Sequence, residues 1–468
     1  MATTSGDPVR IVVIGGGFAG VSAAQELAGR LHRERRLGGE RGSRPGATVE
    51  VVLVSRENYF VFQPLLADVI SGTIETTHVV VPLRRMLPRV KVEVALVETI
   101  DSRVRTVRIR RRLGGEPATI PYDALIVALG SVTDFRSVPG MAENAIGIRT
   151  LGDAFYLRNR ALDMLEEARL ETEPQRRGRL LTFVVVGGGP TGVEVAAELH
   201  DLLTLAARSF RDVALKPRVV LVHGREQVVQ DLGARLSRYA TARLRGSGIE
   251  LRLGRRLTAV RPDGVDLDDG SSVSAATVVS TVGNAPHPVL HDLPTARDER
   301  GWIIPGPTFA LPGLPDVWAV GDCASIVDPA SGRPWPSTAQ HALREGPHVA
   351  RNVLAALAGR PQVPFGYEQV GMLVSVGRFK AVGDIFGLKV SGLLAWFLWR
   401  SYYLLRLPSL DRRVRVAIDW TLDLLLAHDI VEISVRRTRT RPGETPGEVT
   451  GEPLSIGARP DATDELAL

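Results

Sequence analysis

The chain is short of cysteine, of lysine and of long apolar runs, and each shortage closes off a class of protein. Its one cysteine, Cys323, permits neither an intrachain disulfide nor a Cys-x-x-Cys redox pair, so any electron transfer must run without a dithiol. No run of about 18 apolar residues occurs, so no transmembrane helix is expected. The opening residues MATTSGDPVR lead at once into an apolar strand, with neither the charged n-region nor the apolar h-region of a signal peptide. The only lysines are Lys91, Lys216, Lys380 and Lys389, so the net charge of +6 rests almost wholly on arginine. Those arginines are scattered, and no helix-turn-helix, zinc-finger or RNP pattern accompanies them, which argues against a nucleic-acid partner. No cluster of metal-ligating side chains is visible, and no metal is expected. What remains is a 468-residue chain with 44% apolar residues, ordinary for a globular protein and long enough for two or three domains.

Two glycine-rich loops carry the first positive signal. In VRIVVIGGGFAGVSAAQEL, Val9 to Ile14 reads as a strand buried on both faces, Gly15, Gly17 and Gly20 form Gly-x-Gly-x-x-Gly, and Val21 to Leu31 reads as a helix. The order matters chemically. The first glycine allows a tight turn, the second lets backbone approach a pyrophosphate, and the third lets helix and strand pack closely. The helix N-terminus then offers positive potential to the anion. The pattern recurs in LLTFVVVGGGPTGVEVAAELHDLL, with a strand over Leu180 to Val186, glycines 187, 189 and 192, and a helix over Val193 to Leu203. Either loop alone could be a glycine-rich turn closing an ordinary βα unit. Two of them, about 170 residues apart, point to one site for a tightly held flavin dinucleotide and another for a visiting nicotinamide dinucleotide.

Other segments agree. YDALIVALGS (Tyr122 to Ser131) and ATVVSTVGNAP (Ala276 to Pro286) each read as a strand running into a glycine turn. In LPDVWAVGDCA, a strand ends at Gly321-Asp322, where a carboxylate can accept a hydrogen bond from a ribityl hydroxyl or cap a helix. Cys323, beside it, is most simply a small buried residue.

With these residues in place the chain resembles the two-dinucleotide-binding-domain flavoproteins. Within them it is most similar to the type II NADH:quinone oxidoreductases, single-subunit, non-proton-pumping enzymes of respiratory membranes. The likeness runs over about residues 9 to 435, through GGGFAG, NYFVFQPLL, YDALIVALGS, GGGPTGVEVAAEL, VWAVGDCA, STAQHALREGPHVARNV and GRFKAVGDIFGLKVSGLLAWFLWRSYYLL. It implies FAD bound by Gly15, Gly17, Gly20 and Asp322, with Phe18 and Ala19 in the same loop, and NAD(P)H bound by Gly187, Gly189 and Gly192. It further implies a role for Glu194 near the nicotinamide. The lack of paired cysteines separates the chain from disulfide reductases and sulfide:quinone reductases.

Three departures from the family pattern stand out. Ser55, followed by Glu57, ends the strand where an acid usually holds the adenosine ribose of the flavin; serine can still bond a hydroxyl. His223, then Gly224 and Arg225, replaces the ribose-binding glutamate of the nicotinamide domain, which leaves NADPH open beside NADH. In the quinone motif Ala-Gln-x-Ala-x-Gln, Gln340 is present but Arg344 replaces the second glutamine.

The C-terminal quarter is less generic. Leu393 to Leu407 is apolar nearly all round, with Arg400 between Trp396 and Phe397, so it should be covered on most sides. In RVRVAIDWTLDLLLAH, residues Val414, Val416, Ile418, Trp420, Leu422, Leu424 and Leu425 share a broad face, with Arg415, Asp419 and Asp423 opposite. Arg406, Arg412, Arg413 and Arg415 flank the two helices. Apolar helices with Trp and Tyr beside arginines suit a lipid interface; an internal hairpin or a dimer interface is the alternative.

The expected fold is α/β: two Rossmann-like dinucleotide-binding domains, the second inserted in the first, plus a C-terminal helical membrane-associating segment. The FAD domain takes 9–150 and 283–385, the NAD(P)H domain 151–282, the membrane-associating helices 386–435 and a disordered tail 436–468. A charged insertion over 30–47 is read as solvated surface. The expected activity is FAD-dependent NAD(P)H:quinone oxidoreduction by a peripheral protein on the cytoplasmic face of the cell membrane, with a homodimer left open. Two other readings stay open: a flavoprotein reductase with a non-quinone acceptor, and a membrane-bound flavin redox sensor with little turnover.

Overall fold

The computed structural model describes residues 8–36, 48–111, 116–329, 331–367, 371–426 and 429–433. The expected tail over 436–468 and most of the charged insertion lie outside the described residues. The chain divides into two compact units, one of 1–61, 80–133 and 284–369, the other of 62–79, 134–283 and 370–468.

The first unit is built on a seven-stranded sheet. Val9–Ile14 runs parallel between Val49–Ser55 and Ala124–Val127, with Val317–Ala319 parallel beyond the latter. On the other side, Lys91–Asp101 runs parallel to Val49–Ser55, and Thr106–Arg111 and Ala118–Pro121 complete the sheet antiparallel. Ile11, Val12, Val13 and Ile14 are all fully buried, which is why the strand reads as an apolar run after Arg10. Val12, Ile14, Val54, Leu125, Val127 and Ala319 share one core. The helices Phe18–Arg36 and Ala339–Leu357 pack so closely that a Cβ on Gly346 would lie 2.1 Å from Ser22 Oγ. Only glycine permits that approach.

The second unit carries a five-stranded, wholly parallel sheet in the order Ala145–Gly147, Thr277–Ser280, Thr182–Val186, Arg218–His223, Glu250–Leu253. Its core joins Val184, Val186, Val220, Val222 and Val278. The helix Leu151–Leu170 opens with a capping box: Thr150 Oγ1 accepts from Asp153 N–H at 3.1 Å, and Asp153 Oδ2 accepts from Thr150 N–H at 2.7 Å.

This division does not follow the expected domain limits. Residues 62–79 and 371–385 fall in the second unit because of what they bury. The short helix Leu66–Ser71 packs on helices Pro190–Ala207 and Leu151–Leu170, burying Leu66, Val69 and Ile70. The strand Gly371–Ser375 packs on Pro190–Ala207, and pairs antiparallel with Ala381–Ile385, which pairs with Leu388–Gly392.

That last strand leads straight into two helices, Leu393–Arg406 and Leu410–Leu425. Here two expectations fail. The first helix is not covered on most sides: Ala395 and Trp399 are buried, but Leu393, Leu394, Phe397 and Leu405 are exposed. On the second helix the broad apolar face is split. Val416, Trp420 and Asp423 face inward, while Leu410, Val414, Ile418, Leu422 and Leu425 face out. Asp423 follows Trp420 by three residues and Val416 by seven, which is one helical face, so it goes in with them. Asp419 is also held, with Oδ2 2.6 Å from His78 Nδ1 and accepting from Glu75 N–H at 3.2 Å. Among the described residues no helix is long and apolar enough to cross a membrane.

Candidate functional site

In the first unit the loop after Val9–Ile14 has the shape a pyrophosphate needs. Gly15 takes φ +114°, and a Cβ there would lie 2.0 Å from Ala128 O. A Cβ on Gly20 would lie 1.9 Å from Gly15 O. A Cβ on Gly17 would meet nothing within 4 Å. The first and third glycines are therefore forced by packing, and the second faces open space at a helix N-terminus. The helix begins at Phe18 rather than Val21, and both Phe18 and Ala19 are buried in its first turn. The Phe18 ring meets Phe60 edge-on at 4.9 Å.

Ser55 and Asp322 come to the same edge of the sheet. A Cβ on Gly16 would lie 2.2 Å from Ser55 Oγ, so the strand-end serine sits directly under the loop. Asp322 lies in a single 3-10 turn, Gly321–Cys323, just past Val317–Ala319. Gly321 comes within 3.1 Å (measured from its would-be Cβ) of Ala19 Cβ, which brings that turn against the start of the first helix. Gly321 N–H donates to Glu345 Oε2 at 2.7 Å. Burial pushes the Glu345 carboxyl up to about 7; the Gly321 hydrogen bond opposes this and the Asp322 charge adds to it. Sequence reasoning missed Glu345, though it adjoins Arg344. Cys323 is buried, its thiol pushed up to about 12 by burial, and it donates to Val127 O and Val320 O. That is a structural thiol, not a reactive one.

Gln340 stands in the first turn of Ala339–Leu357, capped by Thr338. Tyr367, which the sequence did not single out, joins it to Arg344: the phenol donates to Gln340 Oε1 at 3.3 Å, and the Arg344 guanidinium lies 4.2 Å from the ring centroid. Arg344 Nη1 also donates to Gln340 O at 2.8 Å. Gln340 and Arg344 thus form one polar-aromatic cluster. Burial and the Arg344 charge lower the neighbouring His341 to about 4, so it is neutral.

The second unit repeats the loop geometry. Gly187 takes φ +114°, a Cβ on Gly192 would lie 1.9 Å from Gly187 O, and a Cβ on Gly189 would meet nothing within 4 Å. The helix starts at Pro190, the first position, where a missing N–H costs nothing. His223, at the end of its strand, closes on this loop as Ser55 does on the other. Gly188 N–H donates to His223 Nδ1 at 3.0 Å. Burial, then Arg225, lowers the His223 pKa, so the imidazole is neutral with its proton on Nε2.

Glu194, one turn into that helix, is part of a larger buried network. Its Oε1 accepts from Ser375 N–H at 3.1 Å. Glu194 and Glu198 keep slight solvent contact but are surrounded by protein, and desolvation dominates both. It pushes Glu194 up to about 8, against the Ser375 hydrogen bond and with the Asp68 charge adding to it. Glu198 is raised as well, first by burial and then by Asp68. Burial also pushes Asp68 up to about 7, opposed by Arg400. Arg400 is the counter-cation: Nη2 donates to Asp423 Oδ2 at 3.0 Å, Nη1 donates to Trp420 O at 3.2 Å, and the guanidinium lies 4.1 Å from the Trp396 ring centroid. The indole N–H groups of Trp399 and Trp420 lie toward Glu194 and Asp68 without closing a hydrogen bond of normal geometry. A cavity of ≈ 180 Å³ opens among these groups, lined by Asp68, Glu198, Asp201, Ser375, Trp399 and Arg400. Among the described residues no group of His, Cys, Asp and Glu could hold a metal ion.

Two glycine-rich strand–loop–helix units, one on the sheet of each unit, are the arrangement of a flavoprotein with two dinucleotide-binding folds. Residues 9–346 match the pyridine nucleotide-disulphide oxidoreductase family, and residues 370–429 match the NDH2 C-terminal domain. The chain is 32% identical to the type II NADH:quinone oxidoreductase of Mycobacterium tuberculosis, over 89% of this chain and 88% of that protein. It is 31% identical to the internal alternative NAD(P)H-ubiquinone oxidoreductase A1 of Arabidopsis thaliana mitochondria, over 92% of this chain and 87% of that one. The fold is that of NDH2 from Plasmodium falciparum in complex with NADH, with a TM-score of 0.81, 17% identity, and 90% of this chain and 99% of that chain covered. The chain belongs to the type II NADH:quinone oxidoreductases.

Proposed function

We infer that this protein transfers a hydride from NAD(P)H to FAD and two electrons onward to a quinone. The net reaction, NAD(P)H + H⁺ + quinone → NAD(P)⁺ + quinol, consumes one proton. The observation that carries the reading is a single one. A chain with two dinucleotide folds and no dithiol runs on, over 370–429, into the region shared with NDH2. FAD supplies the two-electron acceptor; the protein's part is binding, orientation and electrostatics.

Gly15, Gly17 and Gly20, with Phe18, Ala19, Ser55 and Asp322, would hold FAD. Gly187, Gly189, Gly192 and His223 would hold the nicotinamide dinucleotide. Glu194, protonated at neutral pH, would stand by the nicotinamide and hold a proton there. Gln340, oriented by Tyr367, would donate to a quinone oxygen.

The outward faces of the two C-terminal helices support peripheral binding to a bilayer. Leu394, Phe397, Leu405, Val414, Ile418 and Leu422 are exposed on them. Arg406 and Arg415 are exposed beside them and can reach anionic headgroups, whereas Arg412 is largely buried and Arg413 donates to Leu407 O. A quinone with an isoprenoid tail is dissolved in that bilayer. The cytoplasmic face of the membrane is the proposed location. Flotation with anionic vesicles, with wild type and with Phe397→Glu/Ile418→Glu, tests the membrane part. Wild type should float and the variant should not; equal flotation would count against it, and a shift to a smaller assembly in the variant would point to a dimer face instead.

A further inference from the structure

The nicotinamide site proposed above carries a feature that selects its ligand. In dinucleotide folds an acid at the end of the second strand bonds the ribose 2′-hydroxyl and repels a 2′-phosphate. Here that position is His223, neutral, with Nδ1 engaged by Gly188 N–H and the Nε2 proton left to donate. The residues after it are Gly224 and Arg225.

The loop after the next strand, Glu250–Leu253, brings two more arginines alongside. Backbone hydrogen bonds tie the loops together: Gly254 N–H donates to Arg225 O and Arg255 N–H to His223 O, both at 3.0 Å. Arg256 lies along Gly224, its Nε 3.3 Å from where a Cβ would stand, so a side chain at 224 would push that guanidinium aside. Arg225, Arg255 and Arg256 are all exposed. Three acids of the region lie near these arginines. Asp269 pairs with Arg255 at 2.7 Å, Glu226 turns toward Gly254, and Asp231 reaches Arg225 only at 3.7 Å. Arg225 and Arg256 thus flank a glycine beside a neutral imidazole donor, an arrangement that fits a phosphomonoester.

We propose that His223, Arg225 and Arg256 form a 2′-phosphate subsite, so that the enzyme accepts NADPH as well as NADH. The subsite rests on the nicotinamide reading of the second glycine loop. The reductive half-reaction, followed on the holoenzyme by flavin bleaching, is expected to give kcat/KM values for NADPH and NADH within tenfold of each other. Arg225→Ala/Arg256→Ala should lower the NADPH-to-NADH ratio at least tenfold, and His223→Glu should lower it at least as much. Calorimetry of the holoenzyme with 2′,5′-ADP and with 5′-AMP provides a readout that needs no turnover: 2′,5′-ADP should bind more tightly, and the arginine variant should abolish the difference. A wild type that prefers NADH by 100-fold or more, or variants that leave the ratio unmoved, would overturn the subsite. Flavin that neither nucleotide bleaches would instead defeat the proposed function, while the calorimetric comparison would still decide the subsite.

Discussion

Glu194 Oε1 accepts a hydrogen bond from Ser375 N–H at 3.1 Å, joining the helix of the second glycine loop to the first strand of the three-stranded sheet that precedes the C-terminal helices. The bond favours the charged carboxylate, yet burial wins and holds the group protonated up to about pH 8. If Glu194 holds the proton used in the reaction, Glu194→Gln should lower kcat by about 10²-fold. It should also remove an ionisation near pH 8 from the pH profile. An unaltered profile would show that Glu194 is structural.

The glycines of the first loop separate binding from folding. Gly20→Ala puts a methyl 1.9 Å from Gly15 O and should yield unstable or insoluble protein. Gly17→Ala meets nothing within 4 Å, so it should fold normally but bind FAD at least tenfold more weakly. Thermal melts and the flavin-to-protein absorbance ratio distinguish the two. Equal FAD content in Gly17→Ala and wild type would contradict the cradle.

Arg400 and Asp423 form a buried ion pair, with side chains 12% and 4% exposed. Removing one partner strands the other charge. Arg400→Met should cost about 3–5 kcal/mol in chemical denaturation, and adding Asp423→Leu should recover much of it. Additive losses in the double variant would mean that the pair contributes nothing as a pair.

Glu345 makes stability depend on pH. Its folded pKa, about 7, lies above the ordinary carboxyl value of 4.5, so its contribution is full below about pH 4.5 and lost as pH rises past 7. Glu345→Gln should therefore flatten the decline in Tm between pH 5 and pH 8. A change of 1 kcal/mol corresponds to about 2–4 °C in a domain of this size. Parallel Tm profiles for the variant and wild type would refute this.

What the sequence revealed depended on locality. The strand Val9–Ile14 is where its apolar run places it, because burial on both faces writes itself into consecutive residues. The helices start earlier than expected, at Phe18 and Pro190, because the last glycine of each loop is already helical. The second strand starts at Thr182 rather than Leu180, because Pro174–Leu180 is a short helix. The network of Asp68, Glu198, Arg400 and Asp423 was out of reach: its members come from distant segments, and each alone looks like a solvated charge. Asp423 was misplaced because the apolar residues around it were assumed to face inward together. Instead Leu422 and Leu425 face out, and the helix buries a carboxylate against Arg400.

The most direct test of the account is anaerobic stopped-flow on the purified holoprotein, mixing first with NADH and then with a quinone. The oxidised-flavin absorbance band should bleach with one equivalent of NADH and return on adding quinone, both steps at least as fast as steady-state turnover. A protein that binds no FAD, or whose reduced flavin a quinone fails to reoxidise, would contradict it.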